Sequence, residues 1–317
     1  MVRKALIFIL ALAVCDGTLY TLLSIAFRHI ETGESGGIVN KARRVKAQVV
    51  VLGSSRAKHQ YDTEVLGKTI KASVYNAGCN GQGIPYMRGV ADLLLHDYVP
   101  RLLIINVDAV SLVFQQNIQD SVNVLAPFMD ESAVIRRMIY NRSTFEPLKY
   151  ISRSYRYNSK PLAILKNYFS KDTTIRGFEP LKRIFDAADS RPGSDALQTH
   201  GAVSADVNLV QMLRDLIHQA KSKGTRVVLA NAPQWRIDGK VDQRHKPLLN
   251  FLQGLAREED VLYLSVTQEN TALFRDPSLF SDPDHLNGKG AQLFAEIVAP
   301  RIALLGYAEP VSEPAVR

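Results

Sequence analysis

Gln48-Val49-Val50-Val51-Leu52-Gly53-Ser54-Ser55-Arg56 decides the fold. A short apolar, β-branched run ended by glycine reads as a strand buried on both faces. Similar runs lie at Ser73 to Ala77, Leu102 to Val107, Arg226 to Ala230 and Val261 to Val266. Helical spacing appears between most of them. One stretch covers Ile84 to His96. Another covers Ala205 to Lys223, where Leu209, Val210, Leu213, Leu216 and Ile217 share a face and Gly224 supplies the stop. A last helix carries Leu293, Phe294, Ile297 and Val298 on one side, with Pro300 limiting it. Strand and helix in alternation predict an α/β protein, a three-layer flavodoxin-like sandwich of about five parallel strands. Ligands of such sheets sit at the C-terminal ends of the strands.

The chain has 317 residues, 46% of them apolar and 22% charged. That length and balance exclude a small stapled domain and long disorder. Two cysteines, Cys15 and Cys79, exclude a disulfide framework and a cysteine-rich zinc site.

Residues 5 to 27 form an apolar run interrupted by one charge, Asp16, with Arg3 and Lys4 before it and Arg28 after it. A hydrocarbon core takes roughly 20 helical residues. A cleaved signal fits less well, because apolar sequence resumes after Ala11-Leu12-Ala13. A lipoprotein signal at Cys15 is disfavoured by the bulk of Val14. A retained single-span anchor over 1–30 fits best. Asp16 either meets a partner within the span or lies near water because the true span is shorter.

Residues 31–47 are polar and glycine-rich and read as a linker. The α/β domain then covers 48–305, followed by a tail at 306–317. Residues at about 110–203 break the alternation and read as an insertion over the strand ends. Between Arg136 and Arg183 stand 12 Lys/Arg and 3 Asp/Glu, so this segment carries the whole excess of the +8 formal charge. Eight Tyr and Phe residues are interleaved with them. Arg153, Arg156 and Lys160 are its candidate cluster for an anionic polymer or headgroup over the site. The alternative is a solvated cap with tyrosines packed beneath. With a span upstream, nucleic acid is the least expected partner.

Three turns carry chemistry. Gly53-Ser54-Ser55-Arg56 places a serine where a strand passes into a helix, with its hydroxyl at the sheet edge and its N–H at a helix start. The same tripeptide also makes plain caps. Asn76-Ala77-Gly78-Cys79-Asn80-Gly81-Gln82-Gly83 follows the second strand and lets backbone N–H groups approach a ligand. It lacks the lysine of a P-loop. Asp282-Pro283-Asp284-His285-Leu286-Asn287-Gly288 precedes the last helix. Asp282 is spaced to orient the His285 imidazole, while Asp284 points elsewhere. His200 and His245 have no metal-ligand spacing, and no metal or other cofactor is expected.

In this order the three turns resemble those of the SGNH/GDSL hydrolase superfamily, over roughly residues 48–108 and 204–305. The resemblance implies that Ser55 is a nucleophile, that Asp282 and His285 complete a triad, and that Ser55 and Gly78 give oxyanion N–H groups. Two departures stand out. Ser54 occupies the position where the commonest pattern has aspartate. The third block, Gly-x-Asn-Asp, is not intact: the third strand ends Asn106-Val107-Asp108. The third oxyanion donor is therefore open among Asn106, Asn76 and Asn80.

The combination with one span and a large insertion is similar to membrane-anchored SGNH-like proteins of bacterial cell envelopes. That implies an extracytoplasmic domain acting as esterase or O-acyltransferase on an acylated polysaccharide or small ester, beside a multi-span acyltransferase partner. The alternative is a catalytically silent subunit that binds polysaccharide or docks that partner. A phosphate-binding protein using Gly78 to Gly83 would leave the histidine motif unexplained.

Overall fold

The computed structural model describes residues 1–113, 115, 121–187, 204–236 and 245–305. The tail at 306–317, His200, and residues 116–120 and 188–203 of the insertion lie outside the described residues.

Five parallel strands form one sheet: β1 (Val49–Leu52), β2 (Val74–Asn76), β3 (Leu102–Asn106), β4 (Arg226–Asn231) and β5 (Leu262–Ser265). Their order is β2-β1-β3-β4-β5. All five occupy the apolar runs of the sequence, and the parallel α/β expectation holds. Alternation along each strand divides the interior into two cores. Val50, Leu52, Leu103, Ile105, Val227 and Leu229 face one of them. Val49, Val51, Leu102, Ile104, Val228 and Ala230 face the other. Both faces are apolar because helices cover both.

On the first face lie α2 (Ile38–Val45), α5 (Ile84–Asp97), α9 (Val207–Ser222) and α10 (Lys246–Glu258). The second face is covered by α3 (Ser55–Gln60), α4 (Thr63–Ile70) and α11 (Gly288–Ala303). Pro300 lies inside α11 and does not end it. Two short antiparallel strands, β6 (Phe280–Asp282) and β7 (His285–Leu286), stand just before α11.

The segment read as a linker is not open chain. Residues 33–37 form a π-helical turn that runs into α2, and Val39 and Ala42 are fully buried in the first core. Apolar residues at 38, 39 and 42 give α2 one buried face, which the polar average of the segment hides.

The first helix, α1 (Val2–His29), is continuous and apolar enough to cross a membrane by length and composition. Up to Cys15 it is exposed, and from Asp16 onward one side packs on the insertion. The insertion adds α6 (Ala133–Tyr140), a short α7 (Glu146–Lys149) and α8 (Pro161–Tyr168). Its two parts pack on different faces. Residues 121–169 join the first core and α1 through Phe128, Ile135, Tyr157 and Ile164. Residues 173–187 form a strap on the opposite face, with Phe178 and Phe185 in the second core. The strap crosses β2 where Asn76 N–H donates to Arg176 O at 2.9 Å. Gly177 permits this, having φ +86° and room for no Cβ, which would stand 1.9 Å from Asn76 O.

At Gly290 an added Cβ would stand 2.1 Å from the Leu279 carbonyl, a backbone atom that cannot swing aside. Gly290→Ala therefore forces α11 away from the β6 approach. Overpacking of this kind costs about 1–3 kcal/mol, read as a lower midpoint in thermal or denaturant unfolding.

Candidate active site

β1 runs into α3 through Gly53 and Ser54. Ser54 caps α3, its Oγ accepting from Arg56 N–H at 3.3 Å. Its hydroxyl also donates to Asp108 at 3.0 Å. The next residue, Ser55, opens the helix, where a free N–H and the helix dipole meet. Its Oγ lies 2.8 Å from His285 Nε2. On the other side of the ring, His285 Nδ1 lies 2.9 and 3.0 Å from the two Asp282 oxygens. The structure thus brings Ser55, His285 and Asp282 into one continuous hydrogen-bonded chain. Asp282 and His285 meet as cross-strand partners of β6 and β7.

Burial works to raise the Asp282 carboxyl. The hydrogen bond and charge of His285, with the N–H groups of Asp284 and His285, outweigh it and hold the group below the usual carboxylate range. Asp284 points elsewhere, as its position in the motif implies: its carboxylate accepts from Gln234 at 2.8 Å and pairs with Arg236.

Two oxyanion assignments are corrected. Gly78 N–H donates to Asn76 Oδ1 at 2.9 Å, inside a closed turn. Asn106 is fully buried and engaged on both ends: Nδ2 donates to Asp108 at 2.9 Å and Oδ1 accepts from Tyr61 at 2.9 Å. Asn76 is likewise occupied, donating to Ala57 O and Tyr61 O. These side chains close the strand ends internally, because a buried amide must find partners. Asn80 is the candidate that remains near the Ser55–His285–Asp282 chain. Its side-chain amide lies 3.1 Å from Nε2 of His59, whose ring stands edge-on to His285 at 5.8 Å.

His59 was not singled out by sequence reasoning. The available signal is its spacing, four residues after Ser55 on one helix face. Burial and the nearby Lys58 charge push its pKa below the ordinary value. Its Nδ1 donates to the Glu179 carbonyl at 2.7 Å, and its Nε2 faces Asn80 Oδ1 at 3.1 Å.

Arg56 and Asp108 form a buried ion pair behind Ser55. Arg56 also donates to Ala232 O, which ties α3, the end of β3 and the end of β4 together. Ser54 completes the network, with Asp108 supplying the carboxylate from the turn after β3.

Arg153, Arg156 and Lys160 are not gathered at Ser55. Arg153 stacks on the Tyr20 ring of α1 at 4.2 Å, Arg156 is buried against Asp130 and Tyr20, and Lys160 is half-buried at the start of α8. The charges of Arg153 and Arg156 serve the junction with the first helix, where Tyr20 and Asp130 stand. It is the strap at 173–187 that borders the triad, through Glu179 and His59.

No protein-family model and no curated protein matches this chain. Among solved structures it is similar to a protein assigned to the G-D-S-L lipolytic family from Desulfitobacterium hafniense, at 16% identity and TM-score 0.39, covering 80% of this chain and 98% of that one. It is also similar to a lipase/acylhydrolase from Enterococcus faecalis, at 12% identity and TM-score 0.40, covering 81% and 96%. A Bacillus subtilis protein matches at 14% identity and TM-score 0.42, covering 82% of this chain and 57% of that one. What the site can do is argued below from its own atoms.

Removing one member of the Arg56–Asp108 pair strands a buried charge. Asp108→Ala should cost about 3–5 kcal/mol in denaturant unfolding, and Arg56→Met/Asp108→Leu together much less than the sum of the two. Additive losses would show that the pair is not coupled.

Proposed function

We propose that this chain is a serine acyl-transfer enzyme of esterase type, held at a membrane by α1. The observation that carries this reading is the hydrogen-bonded chain Ser55 Oγ–His285 Nε2 and His285 Nδ1–Asp282. In it, His285 takes the Ser55 proton as Oγ attacks an ester carbonyl, and Asp282 stabilises the imidazolium that forms. The tetrahedral oxyanion lies against the Ser55 N–H at the start of α3, with the Asn80 side chain as the second candidate donor. Collapse expels the alcohol, which leaves with the proton from His285. The acyl group stays on Ser55 until a second hydroxyl, activated by the same imidazole, removes it. Water as that hydroxyl gives hydrolysis, and a sugar hydroxyl gives transfer. The buried, uncharged Cys79 takes no part, its thiol pushed up to about 12 by burial.

The finer reading concerns the substrate. An acylated cell-envelope polysaccharide is the class proposed, with the domain on the extracytoplasmic side and a multi-span acyltransferase beside α1. The apolar helix supports it by keeping the site within reach of a membrane. A second reading, a silent subunit that binds polysaccharide or docks that partner, is favoured by one observation: Gly78 and Asn106 are both engaged internally. A fluorophosphonate probe separates the two. Covalent labelling at Ser55 supports the enzyme. A protein that stays unlabelled while fully folded supports the silent subunit.

Ser55→Ala should lower turnover of a small ester by about 10⁴-fold or more with an unchanged unfolding midpoint. Full activity in Ser55→Ala would remove the assignment. The His285 ring must be neutral to take the Ser55 proton, so His285→Ala should lower turnover by a factor comparable to Ser55→Ala. Asp282→Asn should cost about 10³–10⁴-fold by mis-setting the tautomer. It should also flatten the acid side of the stability curve. The depressed Asp282 carboxyl stabilises the fold above its unfolded pKa, and that contribution is lost as pH falls through the lower folded value.

A further inference from the structure

We propose that residues 145–169 of the insertion form a lipid-immersed platform, seating the domain in the headgroup–acyl boundary of the bilayer alongside α1. The inference rests on α1 spanning the membrane and not on the chemistry at Ser55.

The first observation is a clamp at the middle of the apolar run. Asp16 accepts from the hydroxyls of Ser152 and Ser154, both at 2.6 Å, and from the N–H groups of Arg153 at 2.8 Å and Ser154 at 3.2 Å. Four donors hold this turn at the level of Asp16. The intramembrane carboxylate is therefore answered from within the chain.

The second is length. Ala5 to Cys15 is 11 residues, about 16 Å of helix, against roughly 30 Å of hydrocarbon. The remaining depth falls beside residues after Asp16. There α1 has two sides. Leu19, Leu22 and Ile25 are exposed along one. Tyr20, Leu23 and Phe27 meet the protein on the other. Lipid that reaches Ile25 on the open side lies at the depth of the insertion on the packed side.

The third is what the insertion shows outward. Phe145, Leu148, Ile151, Leu162, Leu165 and Phe169 are 59–81% exposed. On α8, Leu162, Leu165 and Phe169 share the outer face while Ile164 is buried beneath. Away from α1 and this segment, large exposed apolar residues such as Val99, Val207 and Leu273 are scattered. A concentration of this kind marks a surface meant for an apolar phase. Lys166 is exposed among them, and its long stem lets the charge rise to headgroups while the carbons stay in the acyl region.

The test uses the full chain with Cys15→Ser, leaving the buried Cys79. Single cysteines at Leu148, Leu165 and Phe169 carry an environment-sensitive fluorophore. Leu22 in α1, and Val207 and Leu273 far from it in sequence, serve as controls. The protein is reconstituted in vesicles of phosphatidylethanolamine and phosphatidylglycerol with and without doxyl-labelled lipid. The three platform labels should be quenched as strongly as Leu22, about twofold or more beyond Val207 and Leu273. If Leu22 is quenched and the platform labels behave like Val207 and Leu273, the proposal is overturned, and the surface faces water or a protein. If Leu22 is also unquenched, the span fails and the proposal falls with it. Ser55 labelling by a fluorophosphonate is untouched by either result.

Discussion

The buried pair of Arg56 and Asp108 is the constraint on which the site depends. Arg56 follows Ser55 in α3, Asp108 follows β3, and the Ala232 carbonyl that Arg56 also reaches follows β4. Three chain segments far apart in sequence are thereby fixed at one sheet edge. Ser54 shares the same carboxylate, so the turn that presents Ser55 is set from behind by a charge and from in front by His285. A buried ion pair contributes little net stability compared with apolar packing, and its value here is geometric. Each group in it has few ways to be satisfied, and the arrangement that sets Arg56 on Asp108 and the Ala232 carbonyl also holds the turn that carries Ser55.

The same demand for satisfaction explains why Gly78, Asn76 and Asn106 are closed. A strand end buried by helices on both faces has backbone and amide groups that water cannot reach. Asn76 and Asn106 answer that need with Ala57, Tyr61, Gly78 and Asp108. Polar residues at a sheet edge are thus divided between holding the edge shut and facing a ligand, and among the described residues Asn80 is the asparagine that stands beside His59.

The insertion divides its work in the same spirit. Its strap at 173–187 closes the second core and supplies the Glu179 carbonyl that fixes His59. Its earlier part, 121–169, closes the first core and receives α1, with Tyr157 against Phe27 and the turn at 152–154 on Asp16. The basic residues follow this split. Arg153 and Arg156 are spent on Tyr20 and Asp130, which turns much of the local positive charge toward the helix junction.

Sequence alone determined the five strands, their parallel sense and the three turns at their ends, because apolar runs and glycine stops are local signals. It also determined the pairing of Asp282 with His285, since three residues of separation leave few alternatives. It misread residues 31–47, where Ile38, Val39 and Ala42 among polar neighbours suffice to bury a face of α2. It also misplaced Arg153, Arg156 and Lys160, because composition reports how much charge a segment holds and not which way it points. Only the tertiary structure decided which amides remain available, since whether Gly78 N–H or Asn106 is free depends on partners elsewhere in the fold. It alone set His59 beside His285 and Asp108 behind Ser54, for those meetings require β1, β2 and β3 to lie side by side. Contacts between strand ends are made by packing across the sheet, and no spacing along the chain encodes them.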